Sequence, residues 1–172
     1  MELSPDNEAQ LELLRELEDV FGRARIRFWL RGGWALDFLL GRLTRAHADI
    51  DVVTWLRHKR RLSAALRSRR FQELPSPNPQ TQAIFTKGGQ ELSILFVTRR
   101  GADVVVPGFE SWPFVPGSFG DVFRTLDGIT CRVLPARALI HEKERHSSWS
   151  GRSLRAQDRE SLGLLRELTP GG

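Results

Sequence analysis

Two aspartates one residue apart, in Asp49-Ile50-Asp51-Val52-Val53, constrain this chain more than any other feature. On a strand, alternate side chains share a face, so Asp49 and Asp51 project together while Ile50 and Val52 face the other way. Carboxylates held that close repel unless a cation neutralises them. A hard divalent ion such as Mg²⁺ suits the pair, because it takes carboxylate oxygens and leaves positions open for phosphate. A half-exposed strand with a solvated polar face would show the same alternation, and the flanking sequence decides between the two. Upstream, residues 26–30 (IRFWL) read as a short buried strand, Gly32-Gly33 as a sharp turn, and residues 34–40 as a helix closed by Gly41. Strand, glycine turn and helix N-terminus aim backbone N–H groups and the helix dipole at one point, a place for phosphate. Arg45 and His47 stand in the loop between that helix and the aspartates. In this company the metal reading outweighs the solvated strand.

The remaining pattern reads as one α+β domain over residues 1–172, a mixed β-sheet flanked by helices. Ser4-Pro5 opens a first helix that runs to Gly22 on Leu11, Leu14, Leu17, Val20 and Phe21. A basic helix spans residues 57–70 and a short strand residues 71–74, before a proline-rich loop at residues 75–79. Strands 82–86 and 91–98 flank Lys87-Gly88-Gly89-Gln90 as a hairpin, with Glu91, Ser93 and Leu95 on one face. Strand 103–106 leads into the aromatic loop 107–114, which either packs on the core or lines a pocket. Asp127-Gly128 turns the chain into strand 129–134. Pro135 opens a helix, residues 147–153 read as a small-residue loop, and a last helix covers residues 154–168.

Composition narrows the partners. The N-terminus is acidic rather than leader-like, no apolar run nears the roughly 20 residues needed to cross a bilayer, and the single Cys131 makes no internal disulfide. A soluble, cytoplasmic domain is expected. The net charge of +5, much of it within residues 57–70, favours anionic partners and works against a strongly cationic substrate. The stripe Leu62, Ala65 and Leu66 makes that helix a solvated amphipathic element before it makes it an RNA surface. His141 and His146 lack the convergent partners of a zinc site, and Cys131 sits in an apolar strand as a core residue.

The order GGWALD, then GRLTRAHADID, resembles the aminoglycoside and lincosamide nucleotidyltransferases of the DNA polymerase β-like superfamily, and PGFESWPF resembles that family's Trp-Pro loop. Arg155-Ala156-Gln157-Asp158 is similar to its terminal Arg-Pro-Lys-Asp segment, with Gln157 in place of the lysine. The resemblance covers most of the chain, most strongly residues 32–51. It implies a nucleotidyltransferase-like sheet and transfer of a nucleoside monophosphate from an NTP, ATP in the first instance, to a hydroxyl of a small antibiotic-like molecule. It further implies that Asp49 and Asp51 hold Mg²⁺, that Gly32 and Gly33 cradle the phosphates while Arg45 and Lys143 neutralise developing negative charge, and that a third carboxylate faces the aspartate pair; His47 either contacts a phosphate or hydrogen-bonds the backbone and orients its neighbours. Ser93 occupies that third position, and serine is neither a base at neutral pH nor a strong charged ligand. Glu91, on the same strand face, is the substitute. Two alternatives stay open: a protein of this fold without transferase activity that binds a ligand or partner, and an enzyme whose acceptor is RNA or protein.

Overall fold

The computed structural model describes residues 3–151 and 153–169. Ser4 caps the first helix, α1 (Pro5–Arg23), by accepting the Asn7 N–H on its hydroxyl at 3.1 Å, and Pro5 occupies the first turn, where its missing N–H is harmless. Strand β1 (Phe28–Arg31) runs directly into α2 (Gly32–Leu40), which ends at Gly41 in the left-handed conformation, φ 67°. Then come β2 (Ile50–Trp55), a 3₁₀ turn (Leu56–His58), α3 (Lys59–Ser68), β3 (Gln72–Leu74), β4 (Gln82–Lys87), β5 (Gln90–Arg100) and β6 (Asp103–Val105). The chain finishes with β7 (Phe123–Leu126), β8 (Ile129–Arg132), α4 (Ala136–Ser150) and α5 (Ala156–Glu167).

The expected mixed sheet forms, in the order β1-β2-β5-β4-β3 with β6 on the far end of β5. Only β2 and β5 run parallel; the other pairs are antiparallel. Period-two alternation divides the sheet into two faces. Ile50, Val52, Leu92, Ile94, Ala83 and Phe85 point one way and are at most 3% exposed, beneath α1 and α3. Leu14 and Leu17 of α1 are wholly buried, and each such side chain contributes about 1.5–3 kcal/mol. The opposite face carries Asp51, Ser93 and Ile84 side by side on three neighbouring strands.

Several boundaries depart from the sequence reading. β2 starts at Ile50, so Asp49 stands just outside the strand. The basic helix opens as a 3₁₀ turn and stops at Ser68, because Arg70 turns left-handed at φ 66°. α4 continues through the expected loop as far as Ser150, and Gly151 at φ 62° ends it. β7 has no counterpart in the sequence reading, since three of its four residues are exposed and give no apolar alternation. Of the loop at residues 107–114, only the end from Trp112 to Phe114 packs down, while residues 108–111 are exposed. Arg145 of α4 lies over the rings of Trp112 and Phe114, 5.3 and 5.9 Å from their centroids, and donates to the Trp112 carbonyl. Among the described residues no helix is long and apolar enough to cross a membrane.

Candidate active site

β1, α2, β2 and α4 meet around a cavity of about 540 Å³, lined by Arg31, Gly32, Gly33, Asp51, Glu142 and Lys143 on its inner side. His146, Arg155 and Asp158 close the outer wall. Of the residues singled out from sequence, Gly32, Gly33, Asp51 and Lys143 therefore share one space. Asp49, Arg45, His47 and Glu91 stand beside it rather than in its lining.

The glycine turn is fixed by what presses against it. Gly32 has φ +66°, and a methyl there would lie 2.7 Å from Asp51 Oδ2. A methyl on Gly33 would lie 2.4 Å from His47 Nδ1 and 3.0 Å from an Arg45 guanidinium nitrogen. His47 is held from behind: its Nε2 lies 2.6 Å from Asp37 Oδ2, and its ring packs 4.6 Å from that of Trp34. The other Asp37 oxygen accepts from the Thr44 hydroxyl at 2.6 Å and the Thr44 N–H at 3.2 Å. Asn7 and Gln10 of α1 complete the support, Asn7 accepting the His47 N–H and Gln10 donating to the His47 carbonyl at 3.0 Å. Gln10 also accepts the Trp34 indole N–H at 2.7 Å. This network is buried and satisfied, the condition under which polar groups in a core specify one arrangement. It sets the Thr-Arg-x-His loop against the glycine turn. Asp37, Asn7 and Gln10 went unnoticed in the sequence, although a lone acid within the apolar helix GGWALDFLL signals a buried partner.

The carboxylates are poorly neutralised. Burial raises the Asp49 carboxyl to about 6, and the charges of Asp51 and Glu91 add to that, against the attraction of Arg31 and Arg45. Asp51 is also raised, first by burial and then by Glu142, with Arg31, Lys143 and His47 pulling the other way. The charge of Glu91 thus acts on Asp49, whereas the further carboxylate acting on Asp51 is Glu142 of α4. Ser93 pairs with Asp51 across β2 and β5, and its hydroxyl accepts from Gln82 Nε2 at 2.9 Å. The register thus sets Ser93 directly beside Asp51 on the neighbouring strand.

The cavity's cations are each matched. Arg31, opposite Asp51 in the strand register, donates to Glu142 Oε1 from Nε at 3.2 Å and from a terminal nitrogen at 3.1 Å. Lys143 Nζ and Arg155 Nε both reach Asp158 at 2.9 Å. Burial pushes the Asp158 carboxyl up, but these two donors outweigh it and hold the group at about 2. Arg31 and Glu142 were also missed from sequence; they lie more than a hundred residues apart and meet only through the fold. Cys131 is buried, and its thiol is pushed up by burial and by Glu18, consistent with a core residue. Among the described residues no three His, Cys, Asp or Glu side chains converge as a ready-made metal cage. A pair of raised carboxylates beside a backbone cradle is nonetheless a donor set that fits a hard divalent cation.

The profile of the aminoglycoside-2''-adenylyltransferase family matches residues 13–165. A lincosamide resistance protein of Staphylococcus haemolyticus is 44% identical over 34 residues, covering 20% of this chain and 21% of that protein. A 2''-aminoglycoside nucleotidyltransferase of Klebsiella pneumoniae is 40% identical over 43 residues, 25% of this chain and 24% of the relative. The aligned stretches thus span only about a fifth to a quarter of these relatives' lengths. The crystal structure of ANT(2'')-Ia in complex with adenylyl-2''-tobramycin superposes with a TM-score of 0.77 at 18% identity, covering 92% of this chain and 88% of that one. The fold is therefore that of a nucleotidyltransferase.

Proposed function

The chain belongs to the aminoglycoside-2''-adenylyltransferase family, and from that premise we propose that it moves AMP from ATP to a hydroxyl of a small antibiotic-like molecule. The observation that carries this reading is the meeting of Asp51 with the Gly32 turn at the mouth of a cavity lined by Arg31 and Lys143. In a phosphoryl transfer the protein has little covalent chemistry to do, and positioning with charge stabilisation supplies most of the rate. Asp49 and Asp51 would hold Mg²⁺, which supplies charge neutralisation for the triphosphate. Gly32 and Gly33 bring backbone N–H groups to the phosphates without a Cβ in the way, and Arg45 stands beside them. Lys143 and Arg31 are placed to take up negative charge as the bond to pyrophosphate breaks. Glu91, whose charge acts on Asp49, is the group we assign to accept the proton from the attacking hydroxyl, since Ser93 cannot.

The carboxylates of the cavity limit the acceptor. Glu142 is engaged by Arg31, and Asp158 by Lys143 and Arg155. Few remain for a polycation, so an acceptor with little positive charge, of the lincosamide kind, fits better than an aminoglycoside. ATP as co-substrate and a lone reduced thiol suit a cytoplasmic enzyme. The test is pyrophosphate release from ATP and Mg²⁺ with lincosamide and aminoglycoside acceptors. Release with neither, despite ATP binding, would favour a second reading that the position of Ser93 supports: the fold retained as a ligand-binding module.

Metal binding has a signature independent of turnover. The raised Asp49 carboxyl is half protonated near pH 6, and Mg²⁺ must displace that proton. Folding binds the proton more tightly than the unfolded chain does, so Asp49 lowers stability as pH rises from about 4 to 6, and its full penalty persists above. Titration calorimetry is expected to give Mg²⁺ affinity that weakens as pH falls below 6, and Mg²⁺ should raise the melting temperature more at pH 7.5 than at pH 5. Asp49→Asn should remove both trends; a pH-independent Mg²⁺ response would remove the aspartate pair from the metal site.

A further inference from the structure

The end of the sheet opposite the aspartates collects arginines from three strands and a helix. β1 runs antiparallel to β2, and β5 runs parallel to it. The residues before Phe28, after Trp55 and after Val97 therefore all emerge together, about 13 Å from Asp51 at 3.3 Å per residue. They include Arg27, Arg57, Arg60, Arg61, Arg99 and Arg100, all exposed. At their centre lies Trp55, with the Arg57 guanidinium 5.4 Å and the Arg99 guanidinium 5.2 Å from its ring centroid. Stacking on a fixed ring restricts two side chains that would otherwise lose much rotamer freedom on binding.

Counter-charge is scarce there. Glu110 reaches only Arg100, at 3.8 Å, and Asp121 is taken by Arg132 at 2.8 Å although it also feels Arg27. Among the described residues no carboxylate pairs with Arg27, Arg57, Arg60, Arg61 or Arg99. Arg61 instead donates to the Arg25 carbonyl at 3.1 Å. A guanidinium fork suits phosphate oxygens better than an ammonium does. The exposed large apolar side chains, Phe109, Phe123 and Leu168, are not among these residues, so the patch lacks the wedge by which a protein enters a lipid surface. Trp55 itself is 8% exposed and packs 5.6 Å from Phe119, which leaves no open aromatic face for a base to stack on.

We propose that this arginine pole is a docking surface for the phosphodiester backbone of a nucleic acid, read without regard to sequence and separate from the aspartate site. The neutralised phosphates would release counterions, so binding must weaken with salt.

Fluorescence anisotropy of the full chain with a labelled 20-nucleotide single-stranded RNA and a 20-base-pair DNA duplex, each over a salt series, tests this. The expected result is salt-dependent binding to at least one of them, the two arms distinguishing the source. In Arg57→Ser/Arg99→Ser the affinity should fall about tenfold and the slope of log K against log salt should flatten by about 1.5, for two lost phosphate contacts. Arg57→Lys/Arg99→Lys, which keeps the charge, should retain most of the slope. Unchanged melting temperatures would show that both variants fold; if the serine variant melts early, the lysine variant and Arg60→Ser carry the comparison. No binding at about 50 mM salt, or unchanged binding in the serine variant, would overturn the proposal. So would binding to phosphatidylserine vesicles but to neither nucleic acid.

Discussion

Asp51→Asn is expected to lower AMP transfer on the order of a thousandfold, the scale of removing a charged group that organises a phosphoryl transition state. The same change should leave the protein folded, with a melting temperature equal to or above that of the parent. The two effects have one cause. Asp51 is half-buried, and desolvation together with the charge of Glu142 disfavours its ionised form in the folded chain. Asparagine keeps the shape and removes that penalty. Arg31 loses one attraction but keeps its two contacts with Glu142, so no buried cation is orphaned. Rate at saturating ATP and acceptor, read beside thermal unfolding, separates the outcomes. A stable variant with near-parental turnover would mean that the pair is a structural remnant. Running Glu91→Gln and Glu142→Gln alongside identifies the proton acceptor. If Glu91 serves, only its variant loses kcat as severely, whereas loss confined to Glu142→Gln would move that role to α4.

How much of this site could be read from sequence follows from the range of the contacts involved. Asp49, Asp51 and the glycine pair announce themselves through local spacing, because a strand's period and a turn's backbone freedom are properties of neighbouring residues. Alternation put Glu91 and Ser93 on one strand face, and only the family resemblance set that face opposite the aspartates, where the register pairs Ser93 with Asp51. Arg31 lies between the apolar strand 26–30 and the glycine turn without a local pattern of its own; its meaning comes from Glu142, on a helix over a hundred residues later. Asp37 looked like an ordinary helix residue, yet it anchors His47. β7 has no counterpart in the sequence reading because three of its four residues are exposed and show no apolar period, whereas its partner β8 alternates buried Ile129 and Cys131. The helix through residues 147–150 was read as a loop on small-residue composition alone, whereas continuation of the turn pattern to Gly151 decided it. Local periodicity thus reveals the aspartates and the glycine turn, and only the packed fold reveals what holds them in place.

That dependence makes Gly33→Ala the most damaging small substitution in the glycine turn. One methyl would sit 2.4 Å from His47 Nδ1 and 2.7 Å from Cε1, far inside contact distance. The ring has little room to yield, since Asp37 holds its Nε2, Trp34 packs its face and the backbone is tied to Asn7 and Gln10. Overpacking of this kind costs about 1–3 kcal/mol, and breaking the buried His47–Asp37 contact would add to it. For a total of about 3 kcal/mol, at about 2–4 °C per kcal/mol for a chain of this size, the melting temperature should fall by roughly 6–12 °C. Gly41→Ala is the control: Gly41 also has positive φ, 67°, but nothing lies within 4 Å of the added methyl. Its cost should be backbone strain alone, about 1 kcal/mol. His47→Gly in the Gly33→Ala background empties the space the methyl needs, so the double variant should fall short of the sum of the two single losses. Full additivity would place the strain somewhere other than this contact. Recovery of stability without recovery of ATP affinity would place His47, through the loop it steadies, among the residues that position the phosphate cradle.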